Sequence, residues 1–169
     1  KGLQHFGGLS RIDVDADWDA ARFHHVWMDI LAEQDVLRAS IRVTDKSMKV
    51  FQSPARRNIP FVDLAVYGGK QCERFIETAT DYLSWLYADE GHLDGGLPLH
   101  GVVCIQRPEG FTVLLPVSTM AMDETSHELL AEAVQTRYAG ASTPLGMSYS
   151  DYALLVNELP FGGNDAGIL

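Results

Sequence analysis

The chain has 169 residues, a length that suits one domain with its own hydrophobic core. Its 46% hydrophobic and 21% charged residues are ordinary for a globular protein, and no apolar run approaches the roughly 20 residues that span a bilayer. Asp and Glu number 23 against 13 Lys and Arg, and the net charge of −10 disfavours nucleic acid and anionic membrane as partners. No charged and then apolar leader opens the chain, so we expect a cytoplasmic location. Since it runs from Lys1 to an apolar end at Leu169, we expect a piece of a longer polypeptide.

The two cysteines, Cys72 and Cys104, are too few for a disulfide framework and form no C-x-x-C pair. We therefore expect two reduced thiols in the core, without a metal or redox role. His25 and Asp29 lie four residues apart in a predicted helix, but two potential ligands alone do not predict a metal site.

The first third of the chain changes its hydrophobic period twice. Alternating Ile12 and Val14 are typical of a strand, and either Asp15 or Asp17 is placed to cap the acidic start of the helix that follows. After that helix the period falls to two, which predicts a hairpin. The predicted elements are a strand at 7–14, a helix to about residue 34, and hairpin strands at 36–43 and 48–52, with Leu37, Ala39, Ile41 and Val43 on one side.

Helical stretches and two apolar runs fill the rest of the chain. The runs at 99–106 and 111–117 are nearly continuous and flank a turn at 107–110, which predicts neighbouring strands in the centre of a sheet. Either Ser148 or Ser150 is expected to cap the last helix. The other predicted elements are an extended piece at 62–66, a loop at 91–98, a helix at 71–87, a helix at 124–138 ended by Gly140, and a last helix reaching 159.

The element order β, α, β-hairpin, α, β-hairpin, α, α predicts an α/β fold, a two-layer mixed sheet with helices packed on it. The tryptophans Trp18, Trp27 and Trp85 lie on apolar helical stripes and are expected in the core. The stripe of the 71–87 helix consists of Phe75, Ile76, Ala79, Tyr82, Leu83 and Leu86, and that of the 124–138 helix of Leu129, Leu130, Ala133 and Val134.

Residues 32–41 read A-E-Q-D-V-L-R-A-S-I at the end of the first helix. This segment resembles R-H-E-x-L-R-T-x-F, which condensation domains of nonribosomal peptide synthetases carry between a helix and a strand. Leu37 and Arg38 match, Asp35 stands for Glu and Ile41 for Phe, whereas Glu33, Gln34 and Ala39 depart from the pattern.

The loop after the 111–117 strand reads S-T-M-A-M-D-E at 118–124. It occupies the place of the H-H-x-x-x-D-G motif of the same family and retains only Asp123. Residues 149–153, Y-S-D-Y-A, are similar to a Y-x-D-Y-A segment that precedes the crossover between the two lobes of that family. The three segments together resemble the first lobe of a condensation domain, within the chloramphenicol-acetyltransferase-like superfamily. The resemblance implies an N-terminal lobe at 1–159 and a crossover at 160–169 towards a second lobe outside this sequence.

The resemblance implies acyl transfer as the parent chemistry. Family members join a thioester-bound acyl donor to an amine or alcohol, both carried on phosphopantetheine arms of carrier proteins, in a tunnel between two lobes. Ser118 and Thr119 stand at the two histidine positions, the second of which supplies the base or orients the nucleophile. A threonine hydroxyl is not a base near neutral pH, and the loss of a general base costs about 10²–10⁴ in rate. Glu124 replaces the motif's glycine and adds a bulky acid there.

Asp123, Glu124 and His127 are the candidate catalytic residues if any activity remains. In the family, the aspartate of the motif forms an ion pair that holds the loop. Arg38 is the candidate partner of Asp123. The family's arginine could instead stand at the position that Glu33 holds in this sequence, and in that case the ion pair is lost. Asp123 is also placed to cap a helix, and both roles can coexist. His127 could act as a displaced base, although no orienting group or oxyanion donor is evident.

Residues 24–29, H-H-V-W-M-D, also spell H-H-x-x-x-D, but they lie inside a predicted helix and Ile30 follows where glycine is required. Neighbouring helical residues project about 100° apart, so His24 and His25 cannot share one site. We interpret both as surface or partly buried helix residues. His100 opens a strand and is expected to be exposed or satisfied.

Three hypotheses follow. The favoured one is a catalytically inactive condensation-like lobe of a nonribosomal peptide or hybrid polyketide synthetase, acting in structure or in docking of a carrier protein or neighbouring domain. It would bind no cofactor directly, beyond contact with a carrier's phosphopantetheine arm. The alternative is an active acyltransferase completed by a second lobe, for which a carboxylate directed into a tunnel at 118–126 would be evidence. The third is an unrelated α/β binding module, which a fold without the hairpin–loop–helix at 99–138 would indicate.

Overall fold

The computed structural model describes residues 4–6, 8–44, 47–52, 58–88, 99–142 and 144–158, and its strands form one sheet and a separate hairpin. In chain order the strands are β1 (Gln4–Phe6), β2 (Leu9–Val14), β3 (Ala39–Thr44), β4 (Ser47–Gln52), β5 (Phe61–Asp63), β6 (Val103–Arg107) and β7 (Gly110–Pro116). The sheet has the order β1-β2-β7-β6-β5, and β3 pairs with β4. The pair β5–β6 is parallel and the other pairs in the sheet are antiparallel, so the sheet is mixed.

The strand β7 lies in the centre of the sheet and is covered on both faces. All of its residues from Phe111 to Pro116 are buried. The register places Ile12 of β2 opposite Val113, and Val103 of β6 opposite Leu114. The prediction of a central strand from a continuous apolar run is therefore confirmed.

Within the described residues, four helices accompany the sheet: α1 (Ala20–Glu33), α2 (Gly69–Ala88), α3 (Glu124–Tyr138) and α4 (Tyr149–Glu158). One apolar cluster joins α1 and α3 to the sheet face that carries Ile12 and Val113. A second cluster joins Ile76 of α2 to the opposite face, at Leu9 and Leu114. The α/β fold with a mixed sheet and packed helices is confirmed, and helices cover both faces of that sheet.

The beginning of α1 differs from the prediction. Its N-cap is Asp19, whose carboxylate accepts a hydrogen bond from Arg22 N at 3.0 Å, and its first turn contains no acidic residue. The prediction that Asp15 or Asp17 caps the helix was therefore wrong. The physical reason is a long-range contact: the Tyr138 hydroxyl donates to the Asp17 carbonyl and accepts from the Asp19 amide, both at 2.9 Å, and so holds the chain extended until Asp19.

The segment after α1 forms a short 3-10 helix, Asp35–Arg38, before the hairpin begins at Ala39. The hairpin is confirmed, but the prediction that its first strand starts at residue 36 was wrong. Leu37 is buried in the core shared by α1 and α3, which requires the chain to turn there. The predicted orientation of Ile41 and Val43 lies outside the described side chains, and the loop at 91–98 and residues 159–169 lie outside the described residues.

The buried side of α2 is narrower than the predicted stripe. Ile76 is fully buried, but Phe75, Tyr82 and Trp85 are 41%, 58% and 62% exposed, so their assignment to the core was wrong. The helix is turned so that Ile76 faces the sheet, and residues on the opposite side reach solvent. Trp27 is 1% exposed, as predicted for a core tryptophan.

The helix α3 was predicted with the correct bounds but with one wrong core residue. Leu130 and Val134 are buried, whereas Leu129 is 55% exposed. Adjacent helical residues project about 100° apart, so Leu129 and Leu130 cannot both face the sheet. His127, one turn before Leu130 and Ala131, is buried on the same side. Gly140 follows with a φ of +93°, which glycine adopts easily, and ends the helix as predicted.

The two cysteines are buried and free, as predicted for core thiols. The Cys72 thiol donates to the carbonyl of Leu64 at 3.4 Å, and burial raises the pKa of Cys104. Within the described ranges, no helix has both the length and the apolar composition that crossing a bilayer requires. The same residues include no group of three His, Cys, Asp or Glu side chains arranged to hold a metal.

Candidate functional site

The loop that follows β7 is fixed at its start by two other parts of the chain. The Val117 amide donates to the Gly8 carbonyl, and the Ser118 amide donates to the Leu99 carbonyl, both at 2.7 Å. Gly8 has a φ of +92°, and a Cβ at this position would lie 3.0 Å from the Val117 carbonyl oxygen. Glycine at position 8 therefore permits the close approach that holds the start of the loop against the residue before β2.

The loop then makes a tight turn that separates its two hydroxyl residues. The Ser118 carbonyl accepts from the Ala121 amide at 2.8 Å, and the Ser118 side chain accepts from the Met120 amide at 3.3 Å. Ser118 is 2% exposed, so its hydroxyl stabilises the turn from inside. Thr119 is exposed, so of the two residues that the resemblance aligns with histidines it is the one that solvent reaches.

Asp123 caps α3, as predicted. Its backbone is extended, and its carboxylate accepts a hydrogen bond from the Ser126 amide at 2.8 Å. Hydrogen bonding from Ser126 lowers the pKa of the Asp123 carboxyl, so the residue stays ionised at the positive end of the helix dipole. Glu124, in the first turn, is also exposed. Both carboxylates of the loop therefore lie at the surface.

The ion pair considered between Arg38 and Asp123 is not among those formed by the described residues. Instead, Arg137 at the end of α3 binds Glu33 at the end of α1 through two hydrogen bonds of 2.8 and 2.6 Å. This hydrogen bonding lowers the pKa of Glu33. The position where the family resemblance puts an arginine thus carries an acid with its own basic partner, and the pair joins the two helices.

Asp35 connects the first resembling segment with the third. Its carboxylate accepts from the Tyr149 amide at 3.1 Å and from the Ser150 hydroxyl, at the start of α4. Ser148 caps the same helix, because its hydroxyl accepts a hydrogen bond from the Asp151 amide at 3.1 Å. Of the two predicted caps, Ser148 and Ser150, the first is therefore confirmed. Asp35, which the sequence resemblance aligns with a glutamate, therefore holds the start of the helix that contains residues 149–153.

His127 lies in the interior between α3 and β2. Its Nδ1 is 2.8 Å from the hydroxyl oxygen of Ser10, and the two residues are 1% and 0% exposed. The imidazole nearest to the loop in sequence is thus held in the core and not at the surface. Sequence reasoning missed Ser10, although its place in the strand, two residues before Ile12, indicated a polar side chain facing the core.

A cleft of about 270 Å³ lies beside the loop, between the 3-10 helix, α3 and α4. Its described lining carries no Asp or Glu side chain, and the loop contributes Ala121 and Met122 to it. The remaining lining residues are Gln34, Val36, Leu37, Ser126, Leu129, Leu130, Leu145, Met147, Ser148, Tyr149 and Tyr152. The cleft can accept an apolar group, but its lining offers no carboxylate for proton transfer.

Of the other histidines considered in the sequence, two lie on α1, and His100 pairs with Val117 directly before the loop. His25 is 81% exposed on α1, with its Nε2 3.4 Å from Asp29 Oδ2, and His24 is half-buried, which confirms both as ordinary helix residues. His100 is 6% exposed, with its ring centre 5.7 Å from that of Trp27. Of the two alternatives for His100, exposed or satisfied, the structure excludes the exposed one, and the ring belongs to the core beside α1.

Comparison with known proteins identifies the fold. No family model matches the sequence, and no curated protein matches it. Among solved structures, the epimerization domain from the third module of tyrocidine synthetase B has a TM-score of 0.66 at 18% identity, over 90% of this chain and 34% of that chain. The condensation domain that mediates chain release from the enacyloxin polyketide synthase has a TM-score of 0.68 at 18% identity, over 90% of this chain and 31% of that chain.

A third structure agrees with these two. The cyclization-docking bidomain of the EpoB synthetase from Sorangium cellulosum has a TM-score of 0.61 at 20% identity, over 88% of this chain and 29% of that chain. The chain spans about a third of the length of the structures it matches. At this level of identity the likeness establishes the fold: the chain has the α/β architecture of one lobe of condensation-domain structures.

Proposed function

We propose that this chain is a condensation-like lobe of a nonribosomal peptide or hybrid polyketide synthetase that has lost acyl-transfer catalysis and acts in structure or docking. The observation that carries the proposal is the loop after β7. It keeps its place and its capped helix, yet the exposed residue at the position of the second histidine is Thr119. The nearest imidazole in sequence, that of His127, is buried against Ser10.

The chemistry of the loop supports this proposal. Transfer of an acyl group to an amine or alcohol needs a group that takes up a proton near neutral pH, and such a base contributes about 10²–10⁴ in rate. Threonine cannot serve in that way. The carboxylates of Asp123 and Glu124 are exposed, and the described lining of the adjacent cleft contains none. Hydrogen bonding from Ser126 also lowers the pKa of Asp123, which makes this carboxylate a weaker base.

The proposed partners are a second lobe, a carrier protein and a neighbouring synthetase domain. Residues 1–159 would form the N-terminal lobe and residues 160–169 the start of the crossover. Among the structures with the same fold, one belongs to the third module of tyrocidine synthetase B and another to a cyclization-docking bidomain, as their names state. The exposed apolar side chains beside the loop, Met120 and Leu129, are 50% and 55% exposed and could be covered by such a partner. A phosphopantetheine arm, attached to its carrier protein, would be brought to the lobe when that carrier docks.

The catalytic part of the proposal is tested by an amide-formation assay. The chain is mixed with a donor carrier protein that bears an acyl thioester and an acceptor carrier protein that bears an aminoacyl group. The mass of the acceptor carrier is then measured by mass spectrometry. We expect no elongated acceptor above the protein-free control, while an active condensation domain elongates the same carriers. Turnover that survives Asp123→Ala and Thr119→Ala but is lost in His127→Ala would refute the inactive assignment and identify His127 as a displaced base.

The docking part is tested by titrating the ¹⁵N-labelled chain with a carrier protein and following amide chemical shifts. We expect shifts around the loop, and weaker binding when Met120→Glu places a charge on the half-exposed apolar side chain. Val66→Glu is the matched control, since Val66 is 88% exposed and lies before α2, away from the loop. If both variants weakened carrier-protein binding equally, the added negative charge alone would explain the loss, and the loop would not be the docking site.

A further inference from the structure

The solvent face of α2 carries three large aromatic side chains. Phe75, Tyr82 and Trp85 are 41%, 58% and 62% exposed. Trp85 lies nine residues after the fully buried Ile76, so at 100° per residue the two side chains project on opposite sides of the helix. Large aromatic residues on a helix face that the core leaves uncovered mark an interaction surface more often than isolated aliphatic residues do.

Two of these rings lie next to each other and beside acidic side chains. The ring centres of Tyr82 and Trp85 are 6.2 Å apart, at 38° to one another. Asp81 lies one turn before Trp85 and Glu77 one turn before Asp81, and both carboxyl residues are exposed. No ion pair found among the described residues involves either carboxylate. The C-terminal half of the face therefore combines aromatic rings with negative charge.

We propose that this face of α2 docks an arginine-bearing segment of a partner protein. A guanidinium group stacks on the faces of tryptophan and tyrosine rings and donates hydrogen bonds to a carboxylate at the same time, which an ammonium does less well. The Trp85–Tyr82 pair offers the rings, and Asp81 offers the carboxylate within the same turn. The basic residues of this face, Lys70 and Arg74, lie fifteen and eleven residues before Trp85, about 22 and 16 Å away along the helix axis. The end of the face at Trp85 is therefore left with negative charge.

The sign of the charge selects the class of partner. Phosphate groups of nucleic acid or of anionic lipid would be repelled by Glu77 and Asp81 and by the net charge of −10 of the chain. A basic protein segment is attracted by the same charges. Because the face lies opposite the buried side of α2, this interaction is independent of the loop after β7 and of its proposed loss of catalysis.

The test uses the full chain and three capped 12-residue peptides, in which arginine, lysine or glutamine alternates with serine. Binding is followed by tryptophan fluorescence, because Trp85 is exposed whereas Trp27 is buried and Trp18 is partly buried, and by titration calorimetry at low and moderate salt. We expect the arginine peptide to bind more tightly than the lysine peptide, and the glutamine peptide not to bind. Trp85→Ala should weaken binding of the arginine peptide about tenfold.

Matched variants separate this surface from general acidity. Tyr82→Ala should weaken binding and Tyr152→Ala should not, although the two tyrosines are 58% and 56% exposed. Glu77→Gln with Asp81→Asn should weaken binding and reduce its salt dependence, because the partner cations lose their counter-charges.

The charge control removes the same number of acids at the same spacing from α3. Glu128→Gln with Glu132→Gln, both exposed, should leave binding of the arginine peptide unchanged. Equal loss in this pair, or full binding by Trp85→Ala, would overturn the proposal. Self-association of the chain in sedimentation that Trp85→Ala abolishes would also overturn it, since it would assign the face to a second copy.

Discussion

Replacement of Ser10 by alanine probes the contact that keeps the imidazole near the candidate site inside the protein. The Ser10 hydroxyl oxygen lies 2.8 Å from His127 Nδ1, and the two residues are 0% and 1% exposed. Alanine fills nearly the same space without the hydroxyl, so the variant removes a hydrogen bond and leaves almost no cavity. The loss of a partner by a buried polar atom costs about 1–3 kcal/mol, and we expect the free energy of unfolding to fall by that amount.

Urea denaturation followed by circular dichroism measures this change directly. In a chain of 169 residues, a loss of 1 kcal/mol lowers the melting temperature by about 2–4 °C, which gives a readily measured shift. Ser142→Ala is the control, because it removes a hydroxyl at an exposed position and should change stability by less than about 0.5 kcal/mol.

A double-mutant cycle with His127→Leu isolates the contact itself. Two side chains in direct contact couple by about 0.5–3 kcal/mol, whereas residues that do not touch give additive effects. If Ser10→Ala were as stable as the unmodified chain and the cycle gave no coupling, His127 would not be held in the interior. The placement of the imidazole, on which the proposed loss of catalysis depends, would then be wrong.

Three further changes have defined outcomes. Asp35→Ala removes the carboxylate that binds the start of α4, so hydrogen exchange should accelerate at the α4 amides; unchanged protection there would contradict the assigned contact. Hydrogen bonding from Arg137 lowers the pKa of Glu33 in the folded state. The pair therefore contributes stability at pH values above the ordinary glutamate pKa, and this stability is lost as the pH falls through the lowered folded-state pKa. Glu33→Gln should therefore flatten the fall in melting temperature between about pH 5 and pH 3, and an unaltered pH profile would count against the pair. Because burial raises the pKa of Cys104, its thiol should resist an aromatic disulfide reagent until urea unfolds the chain. Labelling at Cys104 in the folded chain, distinguished from Cys72 by peptide mass, would disprove its burial.

Local features were predictable where the preference of a residue type is decided by neighbours within one helical turn or one strand. The cap at Asp123, the central position of β7 and the end of α3 at Gly140 each follow from a short run of residues. The proposed correspondence of Ser118 and Thr119 with the histidines of condensation domains likewise rests on the sequence resemblance alone. The structure adds that Ser118 is used inside the turn whereas Thr119 is exposed.

Other features were missed because they depend on which side of an element is covered. The apolar stripe of α2 did not reveal that Trp85 would be left in solvent, since periodicity places residues on a helix but does not orient that helix against a sheet. The cap of α1 moved to Asp19 because a tyrosine hydroxyl more than a hundred residues away holds the chain before it.

The order of strands and helices and the capped helix after β7 were determined by the sequence itself, because each rests on preferences that act within a few residues. The tertiary structure alone decided that Asp35 holds α4, that Arg137 pairs with Glu33, and that the His127 ring is buried. These contacts join residues more than a hundred positions apart. Their partners are selected when helices and sheet pack into one core, a process that local propensity does not describe.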